Sequence, residues 1–150
     1  MATEKIVVGV DGSEASENAL RWAVEEGRLH RARVLVVHSW EVPVLQVDLV
    51  PAPHPDYVAL LKEVQDAAEK LVDAMVRKVA GDDSGVTVEG AAIEGPAASV
   101  LIDAAADADL LVVASRGHGG FTGLLLGSVS QQCVSHAPCP VLVHRTRQRS

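Results

Sequence analysis

Short apolar runs alternate with amphipathic stretches along this chain, and the alternation predicts strands and helices in turn. Lys5–Val10 reads as a first strand, closed by the turn Asp11-Gly12-Ser13. Asp11 or Ser13 can cap the following helix, because either side chain accepts from a free first-turn N–H. In that helix Ala15, Ala19, Ala23 and Gly27, with Leu20 and Val24 beside them, form a small-residue stripe at helical spacing, suited to lying close on a sheet. Ala32–Trp40 is the second predicted strand, apolar through Val34–Val37. It runs into a segment with Pro43, Pro51, Pro53 and Pro55, which predicts neither helix nor central strand. That segment reads as a long excursion at the strand's carboxyl end, either a lid or partner surface or a merely variable loop.

Val58–Ala80 predicts the longest helix. Leu60, Leu61, Val64, Ala67, Ala68, Leu71, Met75 and Val79 make its apolar face, and Lys62, Glu63, Asp66, Glu69, Lys70, Asp73 and Arg77 a solvated one. After the turn at Gly81–Gly85, Val86–Glu94 reads as a third strand. Gly95-Pro96 opens a helix over Ala97–Ala106, with proline in its first turn. Ala108–Ser115 is the fourth strand, Gly127–His136 the last helix, and Val141–His144 the fifth strand beyond Pro138 and Pro140. Strand–helix alternation of this kind predicts an α/β fold with a parallel sheet and right-handed crossovers. Nothing repeats internally and no linker divides the chain, so residues 1–150 read as one domain.

Aromatic residues make up only 3% of the 150 residues against 48% hydrophobic, so the core must be built from Val, Leu and Ala, which suits buried parallel strands. A net charge of −7 argues against a general nucleic-acid or anionic-membrane surface. Asp103, Asp107 and Asp109 interrupt the most apolar region, so no membrane-spanning run is expected. The start MATEK lacks an apolar signal region, and a cytoplasmic location is expected. Cys133 and Cys139 have no metal-ligand spacing and read as reduced, buried or half-buried thiols.

The stretch Leu110–Ser130 carries the candidate chemistry. An apolar strand stops at Ser115-Arg116, a loop containing Gly117, Gly119, Gly120 and Gly123 follows, and Gly127-Ser128 opens a helix. Strand, glycine loop and helix start together present backbone N–H groups and the positive end of a helix dipole to an anion. Ser128 adds a hydroxyl, Arg116 a charge that can equally point into water, and His118 a ring inside the cradle. A Walker A loop would need lysine before Ser128, and a dinucleotide fingerprint would need glycine where Thr122 stands. The chain has no GxSxG elbow, no placed Cys/His pair and no metal cluster, so no residue is assigned as catalytic and no metal as protein-bound. Ser128 reads as a phosphate-binding hydroxyl rather than a nucleophile.

The spacing Gly117, nine residues, Gly127, Ser128 resembles the signature of the universal stress protein family, G-x2-G-x9-G-[ST], with Ala114 in the place of the first glycine. The opening VVGVDGSEAS, the strand VLVVHSW and the ending GSVSQQCVSHAPCPVLVHR resemble the family's first, second and last elements. The resemblance implies a doubly wound, Rossmann-like five-stranded sheet in the order 3-2-1-4-5, with helices on both faces. It implies a stress-response regulator that binds ATP, with Mg2+ shared by the phosphates and water; any hydrolysis is expected to be slow or absent, because no positioned base or transition-state cation is apparent in the sequence. It further implies a homodimer through the last strand, Val141, Leu142 and Val143, and a protein partner that it does not identify. The nucleotide-binding positions carried over are Gly9, Val10, Asp11, Ser39, Ala114, Ser115, Arg116, Gly117, His118, Gly119, Gly120, Gly127, Ser128, Val129 and Ser130. The alternatives are a nucleotide hydrolase or transferase on the same site, and a dimeric interaction module without nucleotide, for which the extra methyl of Ala114 is the sign. Cyclic AMP is the other ligand kept open.

Overall fold

A computed structural model describes residues 3–42, 55–82, 85–116 and 126–146. The element order is β1 (Lys5–Gly9), α1 (Glu14–His30), β2 (Arg33–Trp40), α2 (Pro55–Ala80), β3 (Val88–Glu94), α3 (Ala97–Ala104), a single 3-10 turn (Ala105–Asp107), β4 (Leu110–Ala114), α4 (Ser128–His136) and β5 (Val141–His144). All strand pairs are parallel and the sheet order is β3-β2-β1-β4-β5. The predicted fold class and strand order are therefore those observed.

Alternation along the strands sorts the apolar side chains into two layers. Ile6 and Val8 of β1, Val34 and Val36 of β2 and Val112 of β4 meet Ala19, Leu20, Ala23 and Val24 of α1 and Val72 and Met75 of α2. Val7, Val37, Leu111 and Val113 point the other way, onto Val100, Leu101 and Ala105 and onto Cys133 of α4. Strands buried on both faces explain why these segments read as unbroken apolar runs. The small-residue stripe of α1 works as expected at Gly27, which is buried. A Cβ there would come within 2.8 Å of Val34 Cγ2 and 3.0 Å of the Ala32 carbonyl oxygen. α1 runs on past Gly27 to His30, and Arg31 takes the left-handed C-cap conformation at φ 56°.

Several boundaries differ from the sequence reading. Pro55, placed in a non-helical segment, is the first residue of α2. Proline fits the first helical position because the N–H it lacks has no partner there anyway. The rest of the proline-bearing segment, residues 43–54, lies outside the described residues. Ala67, placed on the apolar face of α2, is exposed, and Val72 is buried on that face. β4 begins at Leu110 rather than Ala108, and the backbone bends at Asp109. Its carboxylate accepts from the Glu4 and Lys5 N–H groups at 2.8 and 3.0 Å. Those two backbone donors also hold the Asp109 carboxyl below the usual carboxylate range.

Candidate functional site

β1 and β4 are neighbours, yet the chain leaves them for opposite faces of the sheet. α1 follows β1 into the layer shared with α2, and α4 follows β4 into the layer shared with α3. The diverging connections leave a crevice beyond the strands' carboxyl ends, the place where open α/β sheets take ligands. A cleft of about 310 Å³ occupies it. Gly9, Val10, Asp11, Ser39, Ala114, Arg116, Gly127, Ser128, Val129 and Ser130, all predicted from sequence, line that cleft. Ser115 is not on its wall; its backbone anchors the strand end instead. Gly117, His118, Gly119 and Gly120 lie outside the described residues.

The ends of the segment between β4 and α4 are fastened together. Ser115 donates its N–H to the His144 carbonyl at 2.9 Å and accepts from the Gly127 N–H at 2.7 Å. The Ser130 hydroxyl, only 2% exposed, reaches the Gly127 carbonyl at 2.9 Å and the Ser115 carbonyl at 3.2 Å. One hydroxyl hydrogen shared between two carbonyls is engaged in holding this mouth, whereas Ser128 is exposed on it.

The three helices that begin at the cleft differ in how their first turns are satisfied. α1 is capped by its own sequence: the Ser13 hydroxyl accepts from the Ser16 N–H at 3.2 Å, with Glu14 and Glu17 in the first turn. Asp11 braces this turn, its Oδ1 accepting from the Ser13 N–H at 2.9 Å and from the Ser13 hydroxyl. The cap is thus Ser13, with Asp11 behind it, so both residues proposed for that role take part. Gly127 is the N-cap of α4 and Pro96 that of α3; neither helix has a side-chain cap or an acidic residue in its first turn. Within α4 the first backbone bond is Gln131 N–H to the Gly127 carbonyl, which leaves the N–H groups of Ser128, Val129 and Ser130 without helical partners. These residues line the cleft, and the positive end of the α4 dipole is directed there. An uncapped helix start beside a glycine-bearing turn can hold a phosphate or carboxylate.

Sequence reasoning passed over several wall residues: Ser16, Val37, His38, Ala97, Leu101 and Val113. Leu101 is the apolar floor beside Gly9, where an added Cβ would stand 2.7 Å from its Cδ1. A side chain at position 9 would have to displace the Leu101 methyls. His38 was legible only as the first polar residue after an apolar run. The thiols lie away from this chemistry. Cys133 is fully buried and Cys139 partly so, and burial pushes both upward from the usual thiol range.

Residues 2–145 match the model of the universal stress protein family. The chain belongs to this family. It is 38% identical over 149 residues to a universal stress protein of Thermus aquaticus, described as lying in the QAH/OAS sulfhydrylase 3'region, with 93% of this chain and 97% of that relative covered. A universal stress protein of Mycolicibacterium smegmatis is 34% identical over 142 residues, covering 92% of this chain and 47% of the relative. The chain thus spans about half the length of several of the curated family members it matches, and nearly all of the Thermus one. Among solved structures, the universal stress protein UspA of Lactobacillus plantarum superposes with a TM-score of 0.80 at 25% identity, covering 95% of this chain and 98% of that one. A universal stress protein in complex with cAMP has a TM-score of 0.59 at 27% identity, covering 95% and 97% of the two chains. The Archaeoglobus fulgidus universal stress protein in complex with dAMP has a TM-score of 0.59 at 26% identity, covering 95% and 98%.

Among the described residues no helix is long and apolar enough to cross a membrane.

Proposed function

We propose that this universal stress protein is a cytoplasmic stress-response regulator that binds an adenine nucleotide, ATP foremost, at the carboxyl edge of β1 and β4. The observation that carries the reading is the uncapped start of α4, whose free N–H groups line a cleft at the sheet's switch point. The phosphates would lie against Gly127, Ser128 and Val129, with Arg116 as the cation on the wall and Mg2+ carried by the phosphates and water. The base and ribose would lie toward Val10, Asp11 and Ser39. Family members solved with cAMP and with dAMP support an adenine nucleotide as the ligand class. Hydrolysis would be slow or absent, since Asp11 is the one carboxylate on the described wall and its Oδ1 already serves the α1 turn.

Mass spectrometry of the natively purified protein, followed by calorimetric titration with ATP and cAMP, tests the reading. Co-purified adenine nucleotide and saturable ATP binding support it. Empty protein with no affinity for either ligand overturns it and favours an interaction module. Fast phosphate release from ATP would make the protein a hydrolase.

The second proposal is a homodimer through β5, which forms one edge of the sheet with Val141, Leu142 and Val143 only half buried. An apolar edge strand offers unpaired backbone groups to a second copy about a two-fold axis.

A further inference from the structure

Among the described residues two polar side chains are buried, Ser16 and Ser130, each 2% exposed. Both lie on the cleft wall, one on each of the helices that follow the diverging strands β1 and β4. Each is the third residue of its helix. Each hydroxyl donates to the carbonyl of its own N-cap residue at 2.9 Å, Ser16 to Ser13 and Ser130 to Gly127. A bond to the preceding turn is ordinary for a helical serine. What sets these two apart is a second tie, back to the end of the strand. The Ser16 oxygen accepts from the Asp11 N–H at 3.2 Å, and the Ser130 hydroxyl reaches the Ser115 carbonyl at 3.2 Å.

The two clasps differ in direction. Ser16 donates once and accepts once. Ser130 meets two carbonyls, which only accept, so its one hydroxyl hydrogen is shared between them. An ionised phosphate oxygen likewise only accepts, and it gains that hydrogen only by opening the clasp. We infer that Ser130 is a positioning residue for the anion: its hydroxyl holds the start of α4 against the end of β4, and so aims the unpartnered N–H groups of the first turn into the cleft. This inference rests on the nucleotide reading above and deepens it. A first turn fixed before the anion arrives loses less freedom on binding it, which raises affinity at the phosphate end of the wall. Ser16 serves the other end, by holding the Asp11 turn.

Calorimetric titration of the full chain with ATP, adenosine and inorganic tripolyphosphate tests the inference, together with amide exchange of the ligand-free protein followed by NMR. Ser130→Ala should weaken ATP and tripolyphosphate by about threefold to tenfold, the effect of one neutral hydrogen bond, and leave adenosine unchanged. In the same variant without ligand, the Gly127 N–H, which donates to the Ser115 carbonyl at 2.7 Å, should exchange faster by a similar factor. Ser16→Ala should show the reverse ligand pattern, losing adenosine and keeping tripolyphosphate. Ser130→Cys, whose thiol donates only weakly, stands in if Ser130→Ala does not fold. A folded Ser130 variant that binds tripolyphosphate like the parent overturns the inference and leaves the nucleotide reading in place. Weakened binding with unchanged Gly127 exchange also overturns it, because the hydroxyl then acts on the ligand directly. Equal loss of all three ligands overturns it as well, since that marks general damage. A parent that binds neither ATP nor tripolyphosphate overturns the nucleotide reading, and this inference with it.

Discussion

Placing a carboxylate at the first residue of α4 should move stability and binding in opposite directions. Ser128 is exposed, is the first helical residue, and sits at an N-terminus with neither side-chain cap nor acidic neighbour. In Ser128→Asp the new charge meets the helix dipole and unpaired N–H groups, which is worth about 0.3–1 kcal/mol at an exposed terminus. For a chain of this length that is a rise in Tm of about 1–4 °C. The same charge occupies the ground assigned to the phosphates. Two unit charges about 5 Å apart repel by roughly 1–3 kcal/mol at an effective dielectric of 20–80. ATP brings more than one charge, so binding should fall by at least about tenfold to a hundredfold. Added salt should restore part of the loss as the repulsion is screened. Ser128→Ala removes one hydroxyl and should weaken ATP binding by tenfold or less, about 0.5–1.5 kcal/mol. Thermal melts and calorimetric titrations of the same preparations read both effects. A Ser128→Asp protein that melts no lower than the parent and binds ATP equally well would refute the assignment of the α4 start as the phosphate site.

Three further outcomes are expected. Asp109 has a folded-state pKa held down by two backbone donors, so its stabilisation is present above the unfolded carboxyl value and is lost as pH falls through the folded one. Melting of Asp109→Asn against the parent should therefore show a deficit at neutral pH that shrinks in acid; a deficit that grows in acid would contradict the contact. Cys133 is buried and its thiol is pushed upward by burial, so iodoacetamide at pH 7.5 should label it only on unfolding, as mass mapping of the alkylated peptides will show. Leu142 packs against the α1 layer and Val143 against the α3 and α4 layer, so lysine at whichever of them faces a partner copy should weaken the proposed dimer in sedimentation velocity. A parent that sediments as a monomer at micromolar concentration would rule that dimer out.

Most of this architecture was legible because its central strands carry runs buried on both faces. Runs such as Ile6–Val8 and Leu111–Val113 leave no polar alternative, and each ends in a turn residue that can be named. Element ends were harder, since they depend on partners distant in sequence. Asp109 reads as part of a strand until it is seen to accept from Glu4 and Lys5, and Arg31, a residue that rarely takes the left-handed conformation, gives no sign in the sequence of the cap it forms. The strand order could not be had from periodicity and came from family resemblance. Leu101 and Ala97 could not be placed on the cleft from sequence, because an apolar helix residue facing a ligand has the same pattern as one facing the core.

The three helix starts show which part of a binding site a sequence does reveal. Ser13 followed by Glu14 and Glu17 is a first turn that meets its own needs: one N–H goes to the serine and the carboxylates answer the dipole. Pro96-Ala97-Ala98-Ser99 and Gly127-Ser128-Val129-Ser130 contain no acid, and neither start has a side-chain cap. A helix that caps itself has one fewer N–H group for a ligand and its dipole already answered, whereas one that does not must find its acceptors in water or in a bound anion. Uncapped starts are common enough to prove nothing singly. Here both uncapped helices border the same cleft, where β1 and β4 diverge, while the capped one places its bracing Asp11 on the same wall. An anion at α4 and a neutral, hydrogen-bonding group near Val10, Asp11 and Ser39 suit the two ends of that wall. A nucleotide has this polarity, with phosphate at one end and base at the other.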